Sequence, residues 1–578
     1  MIAFLLAAAA LALLAPAYAA DGPRADLSYR LALIDGPAGY EGLAVTLAFR
    51  GEDDGETMLE LPDEWAGRDA LWRSIDALTV NGADIAPGET PALRRLRHAP
   101  GADVTVRYRV VDGLGGPPTA GTGGNPYRPI VQPDYVHLIG NTFIVRPQWD
   151  EGATRASVDI VQPSRVGHRV ASDLEHGDPT LTLGAVIESV FVGGDFRITT
   201  AAIDGAPARI AIRGDWDFDD AEFVEKAAAA MRANHAYWED PGEPFLVTVL
   251  PLAAAENSSS VGGTGRTDAF AFFASRNADD FRIRRTLGHE HAHTWTPRRL
   301  GRMPQGGDEA LDYWFSEGFT EFLTVRTAAR AGIWSLAEAV GDLNEIMGLY
   351  AENPARRAPN ARIGDAFWTD QDVGRLPYQR GALLAFYWDR KLNAETGGRV
   401  DLDDVFRALK ADYADAERAE GETAAQAFLR VAEAVAGVDL RDDFERYIVD
   451  GAPVLLPADT FTACGTVTTR TGPMFDYGFT FTSNEADEIV IQTVAPGSNA
   501  ERAGVRAGMV YLERLEGEPG DPSKDYLVRF RDGTQERLLR WRPAGRAVTA
   551  QTLELRQDVD AGACLASIGG LHAGAEAP

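Results

Sequence analysis

Residues His289 to His293 read H-E-H-A-H, three histidines and a glutamate in five consecutive positions. On an α-helix, residues four apart lie one above the other on one face, while a residue two along points away. His289 and His293 have the first spacing and His291 the second. The stretch is therefore H-E-x-x-H, two imidazoles able to share one zinc ion, with Glu290 beside them to take a proton from water. His291 is the bystander.

A zinc site that does chemistry needs a third protein ligand and one open position. Downstream lies D-Y-W-F-S-E-G-F-T-E-F, Asp312 to Phe322. Glu317 stands there among Trp314, Phe315 and Phe319, where a carboxylate is costly to bury without a cation. Zinc would be that cation. On the residues alone Asp308, Glu309 and Asp312 stay in contention, the first two in a Gly-Gly-Asp-Glu stretch that reads as solvated. Glu321, one turn past Glu317, is placed either to orient a ligand histidine or to sit in water. His98, His137, His168, His176, His235 and His572 are scattered singly and read as structural.

The elements that must hold these groups belong to a chain of 578 residues, too long for one core. Its 45% hydrophobic and 25% charged residues are those of a globular protein, and its net charge of −30 argues against nucleic acid or an anionic membrane as partner. The first twenty residues carry no charged side chain. The break at Pro16 and the small-x-small pattern Ala17-Tyr18-Ala19 predict an export signal over residues 1–19, with an uncleaved anchor as the alternative. No later stretch is apolar enough to span a membrane. Export to the periplasm or outside would put Cys464 and Cys564 in an oxidising compartment, where a bridge is expected; two buried thiols are the alternative.

From Asp26 to Ile212 short alternating runs such as G-L-A-V-T-L-A-F-R-G are broken by Gly, Pro and Asp, the pattern of antiparallel strands. The glycine-rich piece from Gly113 to Tyr127 reads as a loop. Helical periodicity begins at Asp219 or Asp220 and continues, apart from a strand at P-F-L-V-T-V-L-P-L, to about residue 450; beyond Pro453 short strands return. The expectation is a multidomain α+β protein: a β-rich N-terminal domain (20–215), a mostly helical domain carrying the histidines (216–456) and a β-rich C-terminal domain (457–578).

G-H-E-H-A-H-T-W-T-P-R-R-L-G-R followed by Y-W-F-S-E-G-F-T-E-F resembles the glycyl aminopeptidase family of gluzincin metallopeptidases. The resemblance implies a thermolysin-like catalytic domain, one zinc ion per chain with Glu317 as its third ligand, Glu290 as general base, and a peptide or protein substrate. L-P-Y-Q-R-G-A-L resembles the family's P-Y-x-K-G-A-L helix, which makes Tyr378 the donor to the oxyanion, with Arg380 where lysine is usual. Related aminopeptidases carry G-G-x-E on the strand edging the site, its glutamate holding the substrate's α-amine. Here Gly262 and Gly263 are present as a substrate-binding edge, but Thr264-Gly265-Arg266 follows and the glutamate is missing, leaving Asp268 as the nearest substitute. The resemblance thus implies an aminopeptidase-like enzyme, with a zinc endopeptidase, or a peptide-binding protein with a non-catalytic metal site, as alternatives. Finally, F-D-Y-G-F-T-F and A-P-G-S-N-A-E-R-A-G-V-R-A-G-M resemble a PDZ domain, which implies capture of a peptide C-terminus at the loop Asp476–Phe481. A Cys464–Cys564 bridge would staple that module at its ends.

Overall fold

The computed structural model describes residues 25–113, 115–120, 126–176, 181–253, 259–304, 306–414, 421–484 and 488–571. The expected export signal, part of the glycine-rich loop and His572 lie outside the described residues. The chain is a β-rich N-terminal region followed by a helical region and a C-terminal β region, and it divides into two compact units, the first ending at Phe196 and the second running from Arg197 and taking in Pro118–Gly124 as well.

In the first unit, β1 (Leu27–Gly36), β2 (Gly39–Arg50) and β3 (Asp103–Val110) lie side by side in a six-stranded sheet, β2 antiparallel to both neighbours. Period-two alternation sends Leu27, Tyr29 and Leu31 of β1 and Val45, Leu47 and Phe49 of β2 into one core. His137, on the short strand Tyr135–Ile139, is wholly buried. Burial pushes its imidazole down to about 3.

The second unit begins with β4 (Arg197–Ile203) and β5 (Ala206–Ile212). The sequence reading grouped these strands with the N-terminal β domain. They instead hydrogen-bond into a mixed sheet with β6 (Phe245–Leu252), β7 (Val261–Gly265) and β8 (Ala269–Ser275), in the order β4-β5-β6-β8-β7. Alternation identifies a strand without saying which sheet it joins. Helix α1 (Asp220–Trp238) starts at an Asp219 side chain that accepts the Glu222 N–H at 2.7 Å. Helix α2 (Asp280–Ala292) is capped by Asp279 in the same way. Both pack on this sheet, Phe223, Ala227 and Met231 of α1 and Ile283 and Leu287 of α2 meeting Val247, Phe270 and Phe272.

The helical body follows: α3 (Tyr313–Arg330), α4 (Leu336–Glu352) and α5 (Gln371–Thr396), around a core rich in Trp and Phe. The C-terminal region is two structures. A long hairpin-like pair, β9 (Gly465–Phe475) and β15 (Ala544–Leu555), and helix α6 (Ala561–Ile568) share the core of the helical body through Val467, Leu553 and Ile568. Between them, β10 (Phe479–Ser483), β11 (Ile489–Val494), β12 (Val510–Glu516), β13 (Tyr526–Asp532) and β14 (Gln535–Trp541) form a sheet with its own core of Phe479, Ile491, Val528, Phe530 and Trp541. Cys464 and Cys564 are bridged and buried. The bridge fastens α6 to the start of β9 inside the helical body's core and does not simply close an independent module. Among the described residues no helix is long and apolar enough to cross a membrane.

Candidate active site

Helix α2 delivers His289 and, at its C-cap, His293, and α3 delivers Glu317. Nε2 of each histidine lies 3.4 Å from Glu317 Oε2, and the three prospective ligand atoms lie within 4.8 Å of one another. The outer nitrogens also have neighbours, that of His293 through a hydrogen bond and that of His289 by approach alone. His293 Nδ1 is 2.9 Å from the Thr296 carbonyl oxygen, which as an acceptor fixes the proton on Nδ1 and leaves Nε2 free to ligate. His289 Nδ1 faces Glu321 Oε1 at 3.3 Å. Two imidazoles and a carboxylate with lone pairs converging on one point are a donor set that suits zinc.

Glu321 is buried, so the solvent-facing alternative for it is excluded. Its carboxylate pairs with Arg285, whose Nε in turn bonds Asp342 Oδ1 at 2.6 Å. Burial would raise Glu321, but Arg285 outweighs that and holds it below the usual range. Arg285, itself paired with Asp342, thus holds the Glu321 carboxylate beside His289.

Glu290 projects toward the edge strand β7, where the Gly265 N–H donates to its Oε2 at 2.6 Å. Burial pushes its carboxyl up, with His289 and His293 pulling the other way. A Cβ on Gly265 would lie 2.6 Å from the Glu290 carbonyl oxygen, so only glycine lets β7 come this close to α2. Burial opposes a charge on His293, yet Glu317 beside it lifts the imidazole to about 9. The same pairing overcomes burial at Glu317 and holds it far below the usual carboxylate range.

Helix α5 brings Tyr378 to the cluster, its ring centroid 6.3 Å from that of His289. Burial, then the nearby Glu317 and Glu290, raise its phenol well above the ordinary value, so it stays a donor. What lets α5 come so near is a pair of glycines that sequence reasoning passed over. A Cβ on Gly318 would lie 2.4 Å from Gly381 Cα, and one on Gly381 2.1 Å from the Trp314 carbonyl oxygen. The two helices touch backbone to backbone, one residue past Glu317 and three past Tyr378.

The remaining candidates go elsewhere. Asp308 and Glu309 are exposed, and Glu309 hydrogen-bonds the Tyr313 side chain; Asp312 bonds Thr423. His291 is a core residue, its ring 4.9 Å from Phe245 and 5.4 Å from Trp295. Asp268 lines a small void with His291, His235 and Arg299, on the side of α2 turned away from the ligand cluster. Gly262 and Gly263 lie on β7 as expected, but a Cβ on Gly263 would also strike the Phe270 ring at 2.3 Å. Arg266 is buried, while Arg298 Nη2 donates to the Gly265 carbonyl oxygen at 2.9 Å, beside the residue that holds Glu290. Arg298 belongs to a basic run whose placement against β7 no local pattern announces.

Residues 282–365 match the family model of the M61 glycyl aminopeptidase. Among solved structures, the aminopeptidase N family protein of Idiomarina loihiensis shares 14% identity at a TM-score of 0.67, over 94% of this chain and 100% of that one. An M1 zinc metallopeptidase of Deinococcus radiodurans, in a mutant form bound to a Tyr-Ser-Ala substrate, shares 16% identity at a TM-score of 0.47, over 75% and 95%. No curated protein matches. The family match thus falls on the segment that carries both histidines and Glu317, and the chain around it has the fold of the aminopeptidase N family protein.

Proposed function

We propose that the protein hydrolyses peptide bonds by metal-activated water at the His289, His293 and Glu317 cluster, acting as an exported aminopeptidase-like enzyme. The observation that carries this reading is the convergence of the three ligand atoms within 4.8 Å with Glu290 held beside them by the Gly265 amide. Zinc held there would supply Lewis acidity and make a water molecule acidic. Glu290, its carboxyl raised by burial, takes a proton and later returns one to the leaving amine. Tyr378 donates its O–H to the oxygen that becomes negative in the transition state. Peptide backbone would lie along β7, at Gly262 and Gly263.

Internal cleavage is the second reading, and a specific arrangement favours it. The strand that should offer a carboxylate to an α-ammonium group has none, and Asp268 faces away behind α2. The Arg298 guanidinium on Gly265 would repel such a cation. The test is a digest of a peptide mixture, half of it N-terminally blocked, read by mass spectrometry beside a Glu290→Ala variant. Loss of single residues from free termini only, absent in the variant, supports the aminopeptidase; cuts inside blocked peptides support the endopeptidase. No cleavage by the zinc-loaded protein refutes both.

For the C-terminal region we propose a PDZ-like sheet, with β10, first in its strand order, as the place for an added strand. Capture of a carboxylate at its loop is disfavoured, because the Gly478 N–H already donates to Asp476 Oδ1 at 2.7 Å. That makes strand addition, not terminal recognition, the use its edge supports.

A further inference from the structure

A cavity of about 270 Å³ opens between α4, α5, the stretch Pro453–Leu455 and β15, sharing no residue with the metal cluster. Its apolar wall is Met347, Leu383, Val454 and Leu455, and its polar lining includes Arg356 and Arg357. The charges around it are peculiar for this molecule. The chain has 86 acidic against 56 basic residues, and guanidiniums buried elsewhere in the helical body face carboxylates. Arg326 faces Asp389 and Asp403 at 2.8 Å each, and Arg285 faces Asp342 and Glu321.

At the cavity the pattern reverses. Arg380, 1% exposed, bonds only the Arg356 and Ala358 carbonyl oxygens and Tyr350, and its Nε has no partner. Arg356 spends Nη1 on the Ala351 and Thr549 carbonyl oxygens, and Arg546 bonds the Glu352 carbonyl oxygen. Among the described residues none of Arg356, Arg357, Arg380 and Arg546 has a carboxylate within ion-pair distance. Burial, then Arg357, depress the guanidinium of Arg356. The nearby Glu352 carboxyl is itself pushed up by burial, against the pull of Arg546. Two of these cations, Arg356 and Arg357, line the half-open apolar cavity, with Arg380 and Arg546 beside Arg356, and they repel one another unless an anion joins them.

We propose that this cavity is a binding site for a carboxylate borne on an apolar group, its charge met by Arg356 and Arg357 and its hydrocarbon by Leu383, Met347 and Val454. The planar guanidinium fork suits a carboxylate, and the volume suits one apolar residue with its terminus, not an extended chain. Two sources share that chemistry: the C-terminal residue of a peptide, and a small free acid. The proposal does not depend on the peptidase reading. Because Leu383 and Arg380 belong to the helix that carries Tyr378, an occupant would sit against the catalytic helix from behind.

The test is calorimetric titration of the full-length, zinc-loaded protein with N-acetyl-L-leucine and with its amide, repeated on metal-stripped protein. Saturable binding of the acid to both forms, with the amide at least tenfold weaker, is expected. Arg357→Gln and the double change Arg356→Gln/Arg357→Gln should weaken the acid at least tenfold while leaving peptide hydrolysis unchanged. Arg357 is exposed, so its single variant keeps the test alive should the double variant misfold. A hexapeptide ending in leucine, free or amidated, then separates the sources. Competition by the free form alone identifies peptide termini, and no competition identifies small acids. Equal binding of acid and amide, binding unaffected by the Arg357 change, or binding only when zinc is present would overturn the proposal.

Discussion

Replacing Gly381 by alanine adds one methyl group where α5 meets α3, and its consequences are calculable. The new Cβ would sit 2.1 Å from the Trp314 carbonyl oxygen and 2.7 Å from Gly318 Cα. Both are backbone atoms of a buried helix, so no flexible side chain can swing aside. Restoring ordinary contact requires α5 to retreat by about 1 Å. Overpacking of that kind costs about 1–3 kcal/mol, offset by up to about 1 kcal/mol from the better helix propensity of alanine. The larger effect is on the site. All three proposed ligands lie on α2 and α3, whereas Tyr378 rides on α5. A misplacement of about 1 Å at Tyr378 lowers kcat roughly 100-fold, while zinc affinity stays within about threefold. The assay is kcat and KM at saturating zinc, with zinc affinity from competition against a chromophoric chelator. Gly348→Ala serves as the control, since nothing lies within 4 Å of a Cβ there. Wild-type kcat in Gly381→Ala would refute the claim that this glycine contact sets Tyr378. Equal losses in zinc affinity and kcat would show a general collapse of the site instead.

Three further outcomes are expected. Glu321→Gln keeps the shape but loses the charge facing His289 Nδ1 at 3.3 Å, so zinc affinity should fall about 10- to 100-fold; kcat falling at unchanged affinity would contradict that role. Tyr378→Phe should lower kcat about 100- to 1,000-fold with KM nearly constant, measured on one peptide at saturating zinc. A KM effect alone would mean the phenol binds substrate and not the oxyanion. His137 is buried neutral with its imidazole lowered to about 3. The unfolded chain therefore takes up the extra proton between about pH 6.5 and pH 3, and stability falls as pH drops through that window. At pH 4.5 the loss is about 3 kcal/mol relative to pH 7. His137→Leu should lack this component, read as a smaller loss of hydrogen-exchange protection over residues 135–139 between the two pH values; a loss equal to that of the parent would refute it.

Much of the site was legible in the sequence because it is local. The i, i+4 spacing of His289 and His293 puts both imidazoles on one helix face whatever surrounds them, and it excludes His291, which the fold duly buries against Phe245. Alternation in β1 and β2 likewise announces strands with one buried face. The choice among carboxylates was not local. Glu317, Glu309 and Asp312 lie within nine residues, and only the course of α3 separates the one that reaches the histidines from those turned to Tyr313 and Thr423.

The sequence by itself determined a helix with His289 and His293 on one face and Glu290 beside them, and a β–α–β order of regions. The tertiary structure decided that β4 and β5 join the mixed sheet, that Glu321 lies beside His289, that Asp268 lies behind α2, and that two arginines lining one cavity have no carboxylate within ion-pair distance among the described residues. Within one helix or strand the period of the backbone fixes which side chains are neighbours. Between elements the neighbours depend on how closely backbones approach, and at Gly318 and Gly381 that distance is set by two side chains that are not there.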